Sequence, residues 1–168
     1  MEQIPNLKMA EKDVFQKAKR LIVEVRRVSN EDPSNLKSAI ELLQHLRKAV
    51  YEDLNQIQHE AMILRAALAL QSSEFAKADI AWYWNPRQTG GTDEPDLRGT
   101  VRGQIRLSAE VTASENPIGS IDRRMGSTLN KLSKMPGKKL YFVRTEAMEK
   151  RAISKVSRAG YQVEVRRV

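Results

Sequence analysis

The chain has no cysteine and only two histidines, His45 and His59, in 168 residues. Disulfides, thiolate metal sites and cysteine nucleophiles are therefore excluded, and a His-rich zinc site has too few ligands. Both histidines are expected on the surface or flank of a helix. No apolar run approaches the roughly 20 residues of a membrane span. The opening Met1-Glu2-Gln3-Ile4-Pro5-Asn6 does not read as a signal peptide. The expectation is a soluble, cytoplasmic protein with no membrane partner. A Gly-rich phosphate loop, a Ser-His-Asp set and a dinucleotide fingerprint are also missing.

Positive charge is plentiful. The formal net charge is +8, and it is unevenly placed: residues 1–72 carry 11 Lys+Arg against 10 Asp+Glu, and residues 73–168 carry 18 against 11. A basic second half favours a polyanionic partner, nucleic acid first.

The first half reads as helical. Val14, Ala18, Leu21, Val25 and Val28 repeat at helical spacing and predict a helix over residues 7–28. Asp32 is placed to cap a second helix that Pro33 would open. From Leu36 to Leu68 an apolar stripe runs without Gly or Pro. It predicts either one long helix or two that bend near Tyr51-Glu52-Asp53, together a helical hairpin with room for a partner chain in its seam. Residues 1–72 are thus expected to form a helical arm, which would make a homodimer or dock a partner protein.

Residues 73–168 change texture. Asp79-Ile80-Ala81-Trp82-Tyr83-Trp84 reads as a strand, with both tryptophans either core anchors or base-stacking platforms. Asn85 to Pro95 is Gly- and Pro-rich and reads as a loop. Residues 97–101 and 104–112 read as a hairpin turning at Arg102-Gly103. On the second strand Ile105, Leu107, Ala109 and Val111 alternate with Gln104, Arg106, Ser108, Glu110 and Thr112, which puts a carboxylate inside a sheet. A hairpin centred on Gly103 sets Asp96 opposite Glu110, about 5 Å away between Cβ atoms. A helix over 121–134 capped by Ser120, a strand over 140–143, a helix over 146–159 capped by Thr145 and ended by Gly160, and a last strand with Tyr161, Val163 and Val165 complete a mixed sheet covered by helices.

Helix, three strands, helix and strand, with Pro95-Asp96 before the second strand and Glu110-Val111-Thr112 inside the third, is an order that resembles the PD-(D/E)xK nuclease superfamily, the restriction-endonuclease-like fold. The resemblance covers roughly residues 51–168. It implies an α/β fold with an N-terminal helical arm and a nuclease-like core over 73–168. It implies an endonuclease that hydrolyses DNA phosphodiester bonds, with Mg²⁺ held by Asp96 and Glu110. Asp79, which also precedes an apolar strand, is the alternative to Asp96. The family's Lys two residues after the Glu is Thr112 here, so Lys131 or Lys134 of the following helix would have to supply the charge. Arg98, Arg102, Arg106, Arg123, Arg124, Lys131, Lys134, Lys138 and Lys139 are the candidate phosphate contacts. Because of Thr112, two other readings stand beside it: an inactive nucleic-acid-binding subunit of the same fold, or a helical assembly protein.

Overall fold

The computed structural model describes residues 1–76, 78–86 and 94–168. Among them lie strands β1 (Glu2–Ile4), β2 (Ala81–Trp84), β3 (Leu97–Val101), β4 (Gln104–Thr112), β5 (Lys138–Val143) and β6 (Glu164–Arg167). The helices are α1 (Leu7–Ser29), α2 (Leu36–Ser72), α3 (Ser120–Ser133) and α4 (Glu146–Ala159). The six strands form one sheet in the order of the chain. β1 to β4 pair antiparallel, and β4, β5 and β6 pair parallel. The expected mixed α/β sheet flanked by helices is therefore present. Most of the expected 85–95 loop lies outside the described residues.

Local chemistry sets the helix ends. Asn6 caps α1 by accepting from the Met9 amide at 3.1 Å. The second helix starts later than Asp32 and Pro33 suggest. Asn35 is its cap, and Ser38 returns the bond to form a reciprocal capping box. It then runs unbroken for 37 residues through Tyr51-Glu52-Asp53. α3 begins one residue earlier than expected, with Gly119 rather than Ser120 at its cap and no side-chain cap bond. α4 is capped by Thr145 and closed by Gly160 in the left-handed conformation, as the sequence suggests.

Each sheet face carries its own core. Leu97, Leu107, Ala109, Leu140 and Phe142 pack against Val14, Met62, Ile63, Ala66, Ala67 and Leu70 of the α1–α2 hairpin. Tyr141 and Val143 pack on the opposite face with Met125, Leu129 and Leu132 of α3 and Met148 and Ala152 of α4. Segment 1–72 is thus not an arm standing apart: it supplies β1 and one full layer of the core. Only its distal part projects beyond the sheet, leaving Leu36 77%, Leu43 65% and Val23 63% exposed. No helix among the described residues is long and apolar enough to cross a membrane. Both tryptophans belong to the α2 side. Trp82 is buried, meets Phe75 edge-on and donates to Gln71, and Trp84 packs against the same cluster.

Two backbone devices fix the register of the β3–β4 hairpin. Arg102 and Gly103 both have positive φ, 51° and 75°, as the tight two-residue hairpin turn with matching twist requires. Pairing then shifts by one, from Thr100↔Ile105 to Gly99↔Leu107, so Arg106 is an extra residue, a β-bulge. Nearby, Gly137 has φ +76°, and a Cβ there would sit 2.6 Å from the Arg106 carbonyl carbon. The chain entering β5 can approach the bulge only without a side chain at this point. Gly137→Ala is expected to cost about 2 kcal/mol or more, read as a lower urea midpoint. An unchanged midpoint would show that the bulge does not need this approach.

Candidate active site at the carboxyl end of β4

Leu97 pairs with Ala109, so the residues next in line on that register are Asp96 and Glu110. The structure places the two carboxylates side by side, at the end of the hairpin away from its turn. Asp96 is held by two backbone amides and faces a histidine. The Val111 amide donates to its Oδ2 at 2.8 Å, the Asn85 amide donates to its backbone carbonyl at 2.9 Å, and His59 Nε2 lies 3.4 Å from its Oδ1. Glu110 points to the α3 side of the sheet and is 5% exposed. Lys131 of α3 reaches down to it, with Nζ 2.6 Å from Oε1, and donates to the Glu94 carbonyl at 3.0 Å. The contact with Glu110 is an ion pair, and no hydrogen bond of good geometry reaches that oxygen.

Burial, and then the Asp96 charge, push the Glu110 carboxyl up to about 8 against the opposing pull of Lys131. A single Lys beside two carboxylates leaves the pair short of positive charge, and a proton makes up the difference at neutral pH. Tyr141, the β5 neighbour of Glu110, lies hydroxyl to hydroxyl with Thr112 at 2.7 Å. Burial first, and the charges of Glu110 and Asp96 after it, push the Tyr141 phenol up to about 12 against the opposing pull of Thr112. Thr112, at the position where the resemblance asks for Lys, is thus occupied by a neutral hydrogen bond. The ammonium beside Glu110 comes from α3.

No protein-family model matches this chain, nor does any curated protein or solved structure.

The other candidates are dispersed. Asp79 is exposed and precedes Ala81, which pairs with Thr100 near the hairpin turn. It therefore lies at the opposite end of the strands from Glu110 and cannot share a metal with it. Arg102 and Arg106 are exposed at that same distant end. Lys138 is committed to Glu74 and Glu164 at 2.9 and 3.0 Å. Lys134 is exposed beyond the last turn of α3, and Lys139 is half-buried on β5 beside Ser108. Arg123 and Arg124 are exposed on α3, and Arg124 is close enough to act on Tyr141. Arg98 lies on the same sheet face as Glu110.

His59 differs from its expected surface position. It is 1% exposed, where α2 first meets the sheet. The next residue, Glu60, is also buried, and Lys17 of α1 binds both its oxygens at 2.9 and 2.8 Å. The sequence signal was the rise in apolar density from Ala61 onward, which marks the burial of one flank of α2. His45 stays on the surface, 3.8 Å from Glu24.

Among the described residues no group of three His, Cys, Asp or Glu side chains could hold a metal by itself. Two hard carboxylate donors, one with a buried oxygen lacking a good hydrogen bond, suit Mg²⁺, which keeps waters and commonly takes one or two carboxylates plus substrate phosphate oxygens. The raised Glu110 carboxyl has a sign that can be checked. Its ordinary value is 4.5 and its folded value about 8. The cost of ionising it in the fold is absent below the ordinary value, grows as pH rises from there toward the folded one, and is complete above it. Glu110→Gln removes that cost. Its metal-free melting temperature should match the parent at about pH 4.5 and exceed it by at least about 3 °C near pH 9. A difference that stays flat with pH would contradict the raised carboxyl.

Proposed function

We propose that this protein is a Mg²⁺-dependent endonuclease that hydrolyses phosphodiester bonds in DNA, on a restriction-endonuclease-like core. The observation that carries the reading is the meeting of Asp96, Glu110 and Lys131 at one point. The hairpin register brings the acids together, and α3 delivers a cation to the side of the Glu that Thr112 leaves uncharged. The order α2, β2, β3, β4, α3, β5 also supports the resemblance to PD-(D/E)xK nucleases.

The residues divide the work. Asp96 and Glu110 would hold the metal, which when bound lowers the pKa of a water and offsets charge on the phosphate. The Val111 amide keeps Asp96 aimed at the site. Lys131 would turn from Glu110 toward the attacking water or a phosphate oxygen, orienting the nucleophile as the family's Lys does. Arg124, one face of α3 away, adds positive potential where the strand enters. Deprotonation of Glu110 must precede metal loading, so activity should rise with pH into the alkaline range.

Nicking of supercoiled plasmid with Mg²⁺ or Mn²⁺ is the direct test. Asp96→Asn and Glu110→Ala should abolish it, and Lys131→Ala should lower it by about 10²–10⁴-fold. Thr112→Lys placed on Lys131→Ala should restore part of the loss. A parent protein that cuts no DNA with either metal would refute the reading.

A second reading, assembly through the N-terminal helices with a second copy or a partner protein, is favoured by the exposed Leu36, Leu43 and Val23. Light scattering on the purified chain should then show a dimer that Leu36→Asp with Leu43→Asp dissolves. A monomer at all concentrations would exclude self-assembly by this face.

A further inference from the structure

α3 and α4 cover β4, β5 and β6 on their side of the sheet. Among the described residues, the same face of β1, β2 and β3 joins neither core cluster. A row of side chains crosses it: Gln3 pairs with Tyr83, Tyr83 with Arg98, and Arg98 with Ser108. Strand alternation fixes which way they point. Trp82, Trp84 and Leu97 pack on the α2 side, and Gly99 faces that side too, because a Cβ there would meet Trp82 and Ile80. Tyr83 and Arg98 therefore face away from α2, on the same side as Glu110. Both are half-exposed.

Arg98 is the unusual member. Its Nε is buried without a hydrogen-bond partner, and among the described residues it makes no ion pair. A buried guanidinium Nε with no partner among the described residues is costly, and the fork of donors on an Arg matches a phosphate. It stands two residues along β3 from Asp96, about 7 Å, comparable to the step between successive phosphates of an extended strand. Tyr83, one strand over, offers a half-exposed ring on a sheet face that no described helix covers, the arrangement on which unpaired bases stack. Ser108 does not compete for a ligand, since its hydroxyl donates to the Pro136 carbonyl at 2.8 Å.

We propose that the open half of the sheet seats one unpaired nucleotide next to the bond being cut, with Arg98 on its phosphate and the Tyr83 ring on its base. The substrate strand is then single-stranded at this point, as at a frayed end, a flap or a gap. This rests on the hydrolytic reading of Asp96 and Glu110 for its purpose, but not for its test.

Binding is measured without metal, in EDTA, using a fluorescent dT oligonucleotide of about 12 residues, a duplex of equal length and an abasic strand. The parent should prefer the dT strand over the duplex. Tyr83→Ala should weaken dT binding roughly 5- to 100-fold, Tyr83→Phe should retain it, and abasic binding should ignore both changes. Arg98→Gln should reduce the slope of log affinity on log salt by about 0.7, one single-strand phosphate. Circular dichroism and melting temperature identify any variant that merely misfolds, and Arg98→Lys, which keeps the charge, should restore the slope. Equal dT affinity of the parent and a folded Tyr83→Ala, or tighter binding of duplex than of dT, overturns the seat. A protein that nicks DNA through Glu110 but ignores Tyr83 loses this inference alone. One that binds dT through Tyr83 but never cuts loses the hydrolytic reading alone.

Discussion

The pairing of β3 with β4 is the constraint on which the site depends. It forces two carboxylates together inside a sheet, where neither Coulomb repulsion nor desolvation is relieved by water. Everything nearby answers that conflict. The Val111 amide takes one acid, Lys131 takes the other, and a proton remains on the pair at neutral pH. A fold that only needed stability could place apolar side chains here at less cost. On the proposed reading, a bound cation would offset this cost.

Much of the fold was legible because the periodicities were strong. The α4 boundaries, the buried face of α3 and the continuous apolar β5 follow from pattern and capping alone. Three features were not. The three-residue β1 is too short to carry a pattern. The true cap of α2 lies at Asn35, because a reciprocal bond with Ser38 outcompetes the Asp32-Pro33 signal. The burial of His59 depends on which flank of a long helix meets the sheet, and that is a tertiary fact.

The site was legible in part, and for a partly fortuitous reason. Symmetry about Gly103 pairs residue 96 with 110. The actual turn is centred half a residue earlier, between Arg102 and Gly103, which by itself would pair 96 with 109. The bulge at Arg106 adds the missing residue and restores the pairing. Glu110 and Asp96 could thus be read from the sequence, but the bulge could not. Lys131 could be read only as a candidate beside Lys134. Seven residues after Arg124 on α3, it shares that helix's site-facing flank, while Lys134 lies past the helix end.

The bulge and the turn together act as a ruler. Removing one residue from the hairpin would not move Glu110 slightly along the strand. It would rotate the rest of the strand by half a pleat, carrying the acid into the α2 core and Ala109 or Val111 out to the site. Hairpin length is therefore quantised for this chain. Any inherited change there must come in compensating steps, with the Gly137 approach adjusted at the same time. Variation in length is expected to gather in the connections outside β3 and β4, and the distance between Asp96 and Glu110 along the chain to stay at fourteen residues.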